Sequence, residues 1–239
     1  MSTVPGRSQK METKKMHLLC DGKTKKLYKL DDGNYMLIFK DDMTGTDGEF
    51  DPGANTVGLT VEGAGLAGLH MSVYYFSLLE EKGYPTQFIS ASDDRMIIKP
   101  ATPFGGGLEI ICRYKALGSF IRRYGGSVQE GASLDALVEM TLKDDERGDP
   151  LINEDALEAI GILNAGEYAE LKSLMQDICA IIKEDLAAIG LELCDIKLEF
   201  GRDKNNKIML IDEISGGNMR VMEHGKTIPP LELSKRVLR

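Results

Sequence analysis

Lys197, Glu199, Asp212 and Arg220 fall within the stretch 193–220, LCDIKLEFGRDKNNKIMLIDEISGGNMR, at spacings that suit phosphate and metal chemistry. Ile196, Leu198 and Phe200 alternate with Asp195, Lys197 and Glu199, the period of two expected of a half-buried strand. Lys197 and Glu199 therefore project from one face of that strand. Gly201 to Asn206 is rich in turn formers. Lys207 to Ile211 is almost wholly apolar, a second, central strand that delivers Asp212 and Glu213 at its end, ahead of a loop with Ser215, Gly216, Gly217 and Asn218. A lysine and two carboxylates on one sheet surface suit a divalent cation and the phosphates it carries. Mg²⁺ takes one or two carboxylates and completes its shell with phosphate oxygens and water. On spacing alone, a solvated face bearing surface ion pairs is the commoner outcome.

Other residues of the same chemical kind are scattered upstream. Gly22 precedes Lys23, Lys25 and Lys26. On a strand, Lys23 and Lys25 share a face and Lys26 takes the other, so a glycine beside two aligned lysines suits a phosphate, although the pattern is neither a Walker A loop nor GxGxxG. Arg113 is followed by Gly118 and Ser119. Arginine offers a fork of donors to an oxyanion, and glycine leaves room for close backbone approach. The same residues also fit an amphipathic helix start with surface arginines.

The elements that must position these groups follow from pattern. Lys23 to Leu30 and Tyr35 to Lys40 read as a hairpin turned by DDGN at 31–34. Residues 39–68, dense in Gly and Asp, read as one long loop, which in a compact domain is functional or disordered. Leu69 to Lys82 reads as a helix with Leu69, Val73, Phe76 and Leu79 on its core face and Gly83 as its cap. Thr86 to Ser90 and Met96 to Lys99 read as short strands, Glu109 to Arg113 as a strand leading into a helix, and Tyr168 to Ile189 as the longest helix. Asn153 is placed to cap a helix, and a short helix is expected after Pro229 and Pro230.

At 239 residues the chain can build one large or two small domains. A net charge of −9 argues against a nucleic-acid binder. No apolar run approaches the about 20 residues of a membrane helix, and the polar start MSTVPGRSQKMETKK lacks a signal peptide's core, so a cytoplasmic protein with no membrane partner is expected. Cys20, Cys112, Cys179 and Cys194 form no CxxC pair and sit among apolar neighbours, as buried free thiols do. His17, His70 and His224 give no metal spacing.

Five blocks in order, GKTKKLY, CRYKALGS, LKDDERGDP, DIKLEFG and LIDEIS with Arg220 eight residues after Asp212, resemble the SAICAR synthetase (phosphoribosylaminoimidazole-succinocarboxamide synthase) family. The resemblance implies an α+β fold: a disordered lead-in over 1–17, a small antiparallel domain over 18–103 that covers the nucleotide, and a larger α+β domain over 104–239, with ATP in the cleft between. It implies an ATP-dependent ligase that joins L-aspartate to the carboxylate of carboxyaminoimidazole ribotide through an acyl phosphate. By resemblance Gly22, Lys23, Lys25, Lys99 and Glu199 bind the nucleotide, and Glu199 and Asp212 hold Mg²⁺. Lys197, Asp212 and Arg220 are catalytic. Arg113, Ser119, Lys143, Asp149, Ser215 and Arg220 bind the substrates. The implied partners are small molecules only, with a homodimer left open. The chain departs from the family at Glu62 and Gly65, at Ser215-Gly216-Gly217 where Ser-Pro-Asp is usual, at Val221-Met222-Glu223, and in stopping before the usual terminal segment. These departures mark a divergent member and leave two further readings: a relative joining another carboxylate and amine, or an ATP-binding regulator without catalysis.

Overall fold

The computed structural model describes residues 16–54 and 56–238. Most of the expected lead-in lies outside the described residues; Met16 and His17, its last two, belong instead to β1 (Met16–Asp21). β2 (Lys25–Leu30) and β3 (Tyr35–Phe39) form the expected hairpin, closed where Gly33 adopts φ +85°. β4 (Asp42–Thr46), β5 (Glu49–Phe50) and β6 (Val57–Thr60) then build a small antiparallel sheet in the order β5-β4-β6. This corrects the reading of 39–68 as one loop. The reason is backbone proximity. A Cβ on Gly58 would stand 2.3 Å from the Gly45 carbonyl carbon, and one on Gly45 would stand 2.0 Å from the Glu49 carbonyl oxygen. These glycines weaken the strand signal yet let the strands touch.

α1 (Ala64–Glu81) begins earlier than the expected Leu69 and buries Leu69, Met71, Tyr75, Phe76 and Leu79. It ends as expected at Gly83: Gly83 N–H donates to Glu80 O (3.0 Å) and Tyr84 N–H to Leu79 O (2.9 Å), the two bonds of a left-handed glycine cap. β7 (Phe88–Ser92) and β8 (Arg95–Ile98) complete a five-stranded sheet in the order β1-β2-β3-β8-β7.

The rest of the chain gives β9 (Thr102–Pro103), β10 (Leu108–Lys115), α2 (Ser119–Tyr124) and β11 (Ser133–Leu142). Asn153 accepts a bond from Ala156 N–H at the start of α3 (Glu154–Ala159), as its residue type predicts. α4 (Glu167–Ala187) precedes the longest strand, β12 (Glu192–Arg202). β13 (Ile208–Ile211), β14 (Met219–Glu223), β15 (Lys226–Thr227) and α5 (Pro230–Val237) close the chain.

β12 is the axis of a seven-stranded sheet in the order β11-β10-β12-β14-β15, with β9 and β13 pairing to its far end. Its even residues, Cys194, Ile196, Leu198 and Phe200, are buried, and Leu171, Met175, Ile178, Cys179, Ile182 and Leu186 of α4 are buried with them. Each such side chain contributes about 1.5–3 kcal/mol over leaving it in water. Asp195, Lys197 and Glu199 alternate with them and carry charge. The segment leading into β7 helps clip the five-stranded sheet to the seven-stranded one: Thr86 bridges Leu210, and Gln87 Nε2 donates to Asp212 O at 2.9 Å. The α+β class is therefore as expected. Of the four cysteines, Cys112, Cys179 and Cys194 are buried free thiols, but Cys20 is exposed because it lies on edge strand β1. Among the described residues no helix is long and apolar enough to cross a membrane.

Candidate active site

The charged face of the large sheet is set by register. Glu109 pairs with Glu199, Ile111 with Lys197 and Arg113 with Asp195 across β10 and β12, and Arg220 of β14 pairs with Asp195 from the other side. Cross-strand partners share a face, so two carboxylates, Glu109 and Glu199, are forced opposite each other. Like charges in that position repel, and lysines offset them. Lys197 Nζ lies 2.8 Å from Glu109 Oε1, and Lys143 Nζ lies 2.6 Å from Glu199 Oε1. From the five-stranded sheet, Lys25 reaches across to Asp212 (3.2 Å) and to Glu213.

Asp212 follows β13 with φ +65°, a left-handed conformation costly for a residue with a side chain. The clip from Gln87 and the Lys25 ion pair hold it there. Burial pushes its carboxyl up, but the Lys25 and Lys143 charges outweigh burial and leave it below the usual carboxylate range. Glu199 goes the other way: burial, together with the Asp212 charge, holds it above that range despite Lys143. Burial works against the charge on Lys25 and Lys143 too, yet the carboxylates facing them raise both.

These groups line a cavity of about 640 Å³ between the five-stranded and seven-stranded sheets. Gly22, Lys23, Lys25, Leu27 and Leu37 form one wall, and Glu109, Lys143, Lys197, Glu199 and Asp212 the other. Its volume is that of a small-molecule site. Lys23 bridges the two walls by its ion pair with Asp145 at 2.6 Å. Asp149 lines the cavity with φ +49° while its carboxylate accepts the Asp144 N–H. Ser215 also lines it, donating to Glu213 at 2.6 Å. Among the described residues no three His, Cys, Asp or Glu side chains are grouped to hold a metal unaided. Glu199 and Asp212 are a donor pair of the kind Mg²⁺ uses when phosphates supply its other ligands.

Arg113, Ser119 and Arg220 form a second cluster beside the cavity. Arg113 Nη1 and Arg220 Nη1 both donate to Asp195 Oδ2, at 3.1 and 2.8 Å. Arg113 Nη2 donates to Ser119 Oγ at 2.8 Å. Burial raises Asp195 above the usual range even beside both guanidiniums. Arg220 lies flat on Gly118, where a Cβ would stand 2.5 Å from Nη2. Its other side meets Asp51, which Arg122 also contacts at 3.4 Å. Burial pushes the Asp51 carboxyl up, but the Gly53 N–H, Arg220 and Arg122 together hold it low.

The structure thus brings Gly22, Lys23, Lys25, Lys143, Asp149, Lys197, Glu199, Asp212 and Ser215 to one cavity. It gathers Arg113, Ser119 and Arg220 next to it. Lys99 stands apart: its Nζ donates to Thr86 O at 3.0 Å and pairs with Glu80 at 3.5 Å, in a separate surface groove. The sequence reading missed Glu109 and Glu213 as members of the charged face. The alternation Glu109, Ile111, Arg113 within β10 carries the signal for Glu109, and adjacency to Asp212 carries it for Glu213. Asp51 had no local signal.

Comparison with known proteins gives the family and the fold. Residues 18–239 match the family described as SAICAR synthetase. The chain is 55% identical over 226 residues to the phosphoribosylaminoimidazole-succinocarboxamide synthase of Clostridium tetani, covering 93% of this chain and 100% of that one. It is 35% identical over 211 residues to the enzyme of that name from Methanobrevibacter smithii, covering 87% and 83%. The fold superposes on a solved SAICAR synthetase (type 2) in complex with ADP with a TM-score of 0.81 at 31% identity, covering 93% of this chain and 97% of that one.

Proposed function

This chain belongs to the SAICAR synthetase family, and from that premise we infer that it is the ATP-dependent ligase of purine biosynthesis that the family name describes. It joins L-aspartate to the carboxylate of carboxyaminoimidazole ribotide and releases ADP and phosphate. The observation that carries this reading is the cavity whose facing walls set Lys25, Lys143 and Lys197 among Glu109, Glu199, Asp212 and Glu213.

A carboxylate is a poor electrophile toward an amine. Transfer of the γ-phosphoryl group to the ribotide carboxylate supplies a leaving group, and the aspartate amine then displaces it. Such transfers are catalysed mainly by positioning and charge neutralisation. Gly22 lets the β1–β2 connection approach the nucleotide, and Lys23, Lys25 and Lys197 neutralise its phosphates. Leu27 and Leu37 give the apolar wall for the base. Glu199 and Asp212 would hold Mg²⁺, which when bound neutralises phosphate oxygens. Burial and the Asp212 charge hold the Glu199 carboxyl high, and a bound cation would favour its ionised form. Lys143 stands where a second negative substrate group would meet it, alongside Asp149 and Ser215. Ser119 and Arg220 hold the ribotide. We read the protein as a cytoplasmic enzyme acting on small molecules.

The test is ADP release by the purified chain with Mg-ATP, the ribotide and L-aspartate, each omitted in turn. Release that requires all three, with a succinocarboxamide product, is expected. ADP release indifferent to the ribotide or to aspartate would overturn the reading.

A further inference from the structure

The apolar side of β12 does not end in an apolar residue. Ile196, Leu198 and Phe200 are buried, and Arg202 is the next residue of that series. A guanidinium at the end of an apolar row needs a flat surface and a counter-charge, and Arg202 has both. Its Cζ lies 4.3 Å from the centre of the Phe104 ring, within cation–π range. Its Nη2 donates to both Glu167 oxygens, at 2.7 and 2.6 Å. Glu167 opens α4, where the helix dipole favours a carboxylate. Burial pushes its carboxyl up, but the Asn164 N–H and Arg202 together hold it below the usual carboxylate range. Arg202 Nε is buried and, among the described residues, has no hydrogen-bond partner. Such an orphaned donor is costly, so the stack on Phe104 and the pair with Glu167 are what hold the side chain in place.

The stack acts on the hinge. The chain crosses from the five-stranded to the seven-stranded sheet between Ile98 of β8 and Thr102 of β9. β9 is two residues long and pairs with the far end of β12, Pro103 with Gly201 and Thr102 with Arg202. The approach is close: a Cβ on Gly201 would stand 3.0 Å from Thr102 O. Phe104 follows and is fully buried, while Pro103, Gly106 and Gly107 line the cavity. Leu27 and Leu37 line the same cavity from the five-stranded sheet. This stretch of wall is therefore uncharged and mostly backbone, with no long side chain to adjust to a ligand. Its height is set from behind, and Arg202, which does not itself line the cavity, stands behind it.

We propose that Arg202, paired with Glu167 and stacked on Phe104, is a positioning residue for the base of the nucleotide: it fixes the 102–107 wall against which the base lies and leaves the phosphate groups to the lysines. The planar guanidinium sets both the distance and the tilt of the Phe104 ring, which a lysine or an apolar residue would not. The inference rests on the reading that a nucleotide takes this cavity.

The experiment titrates the full chain with Mg-ADP and with Mg-tripolyphosphate, which has the phosphates but no base, by calorimetry, for the wild type, Arg202→Met, Glu167→Gln and the pair. Arg202→Met should weaken ADP binding about tenfold, and Glu167→Gln at least about threefold. Tripolyphosphate affinity should move less than about twofold in either, since its site is separate from the wall. The pair should bind ADP no more weakly than Arg202→Met alone, because the two side chains act as one clamp. In steady-state assays the ATP KM should rise with the ADP Kd, and the ribotide and aspartate KM should stay within about twofold. Glu167→Gln keeps the size of its side chain, so it reads the clamp even if Arg202→Met folds poorly. ADP affinity within about twofold of the wild type in both single variants would overturn the proposal. Equal losses for ADP and tripolyphosphate, the mark of general damage, would overturn it too, as would losses that simply multiply in the pair. A wild type that binds no ADP would sink the nucleotide reading and this inference together; a wild type that binds ADP, with variants that bind it equally well, would sink this inference alone.

Discussion

Replacing Lys197 with Met should damage stability and activity by two separable routes. The side chain of Glu109 is 7% exposed and sits directly across from Glu199, with Lys197 Nζ at 2.8 Å as its close cation. Among the described residues the other side-chain donor on it is Thr141 Oγ1, at a long 3.4 Å. Methionine keeps the aliphatic stem but leaves a buried carboxylate facing another. Breaking a fully buried pair costs about 3–5 kcal/mol. Lys197 is 26% exposed, so water screens part of that cost, and about 2–3 kcal/mol is expected. That is about 5–10 °C in Tm for a chain of this size. Adding Glu109→Gln removes the stranded charge and should return more than half of the lost stability in urea unfolding. It should not return activity, because Lys197 is assigned to the phosphates: kcat/KM should stay down by about a hundredfold or more in both variants. A loss below about 0.5 kcal/mol for Lys197→Met would refute the electrostatic account, being within the range of an ordinary surface change. Recovery of ADP release in the double variant would refute the catalytic one.

Three further outcomes follow from the same site. Burial and the Asp212 charge raise the Glu199 carboxyl, so on acidification Glu199 takes up a proton before Asp212 does. Mg-ADP affinity should therefore weaken as pH falls through that raised value. In the unliganded protein the same shift favours folding when Glu199 is protonated and costs stability as pH rises through it. Calorimetry across pH should show the affinity step, and Glu199→Gln should abolish it. Gly118→Ala places a Cβ 2.5 Å from Arg220 Nη2 at φ +54°. It should cost about 1–3 kcal/mol and raise the ribotide KM at least about tenfold with the ATP KM little changed, as steady-state kinetics would show. Lys25→Met should weaken ADP binding at least about tenfold. Lys99→Met should change it less than about twofold, because Lys99 Nζ lies in a separate groove against Thr86 and Glu80.

What was legible in the sequence was whatever repeats along a single element. The alternation in β12 correctly placed Lys197 and Glu199 on one face, and the apolar run of β13 correctly ended on Asp212. The α4 stripe and the Gly83 cap were equally local. Three kinds of feature escaped. The β4–β6 sheet is built on Gly45 and Gly58, whose lack of side chains erases the alternation that marks a strand. Glu109 joins the site through its cross-strand partner Glu199, ninety residues away (109 to 199), and pairing register is invisible to a window. Asp51 meets Arg220 across 169 positions and Arg122 across 71. Arg113 was legible as an anion-type arginine, but only the structure shows its donors turned inward to Glu139, Asp195 and Ser119.

The central claim is that the ribotide carboxylate is activated by phosphorylation within this cavity, and oxygen isotopes test it most directly. Ribotide labelled with ¹⁸O in both carboxylate oxygens is turned over with Mg-ATP and L-aspartate, and the released phosphate is examined by mass spectrometry. Passage through an acyl phosphate carries one carboxylate oxygen onto every phosphate released. Phosphate free of label, with amide still formed, would contradict the account.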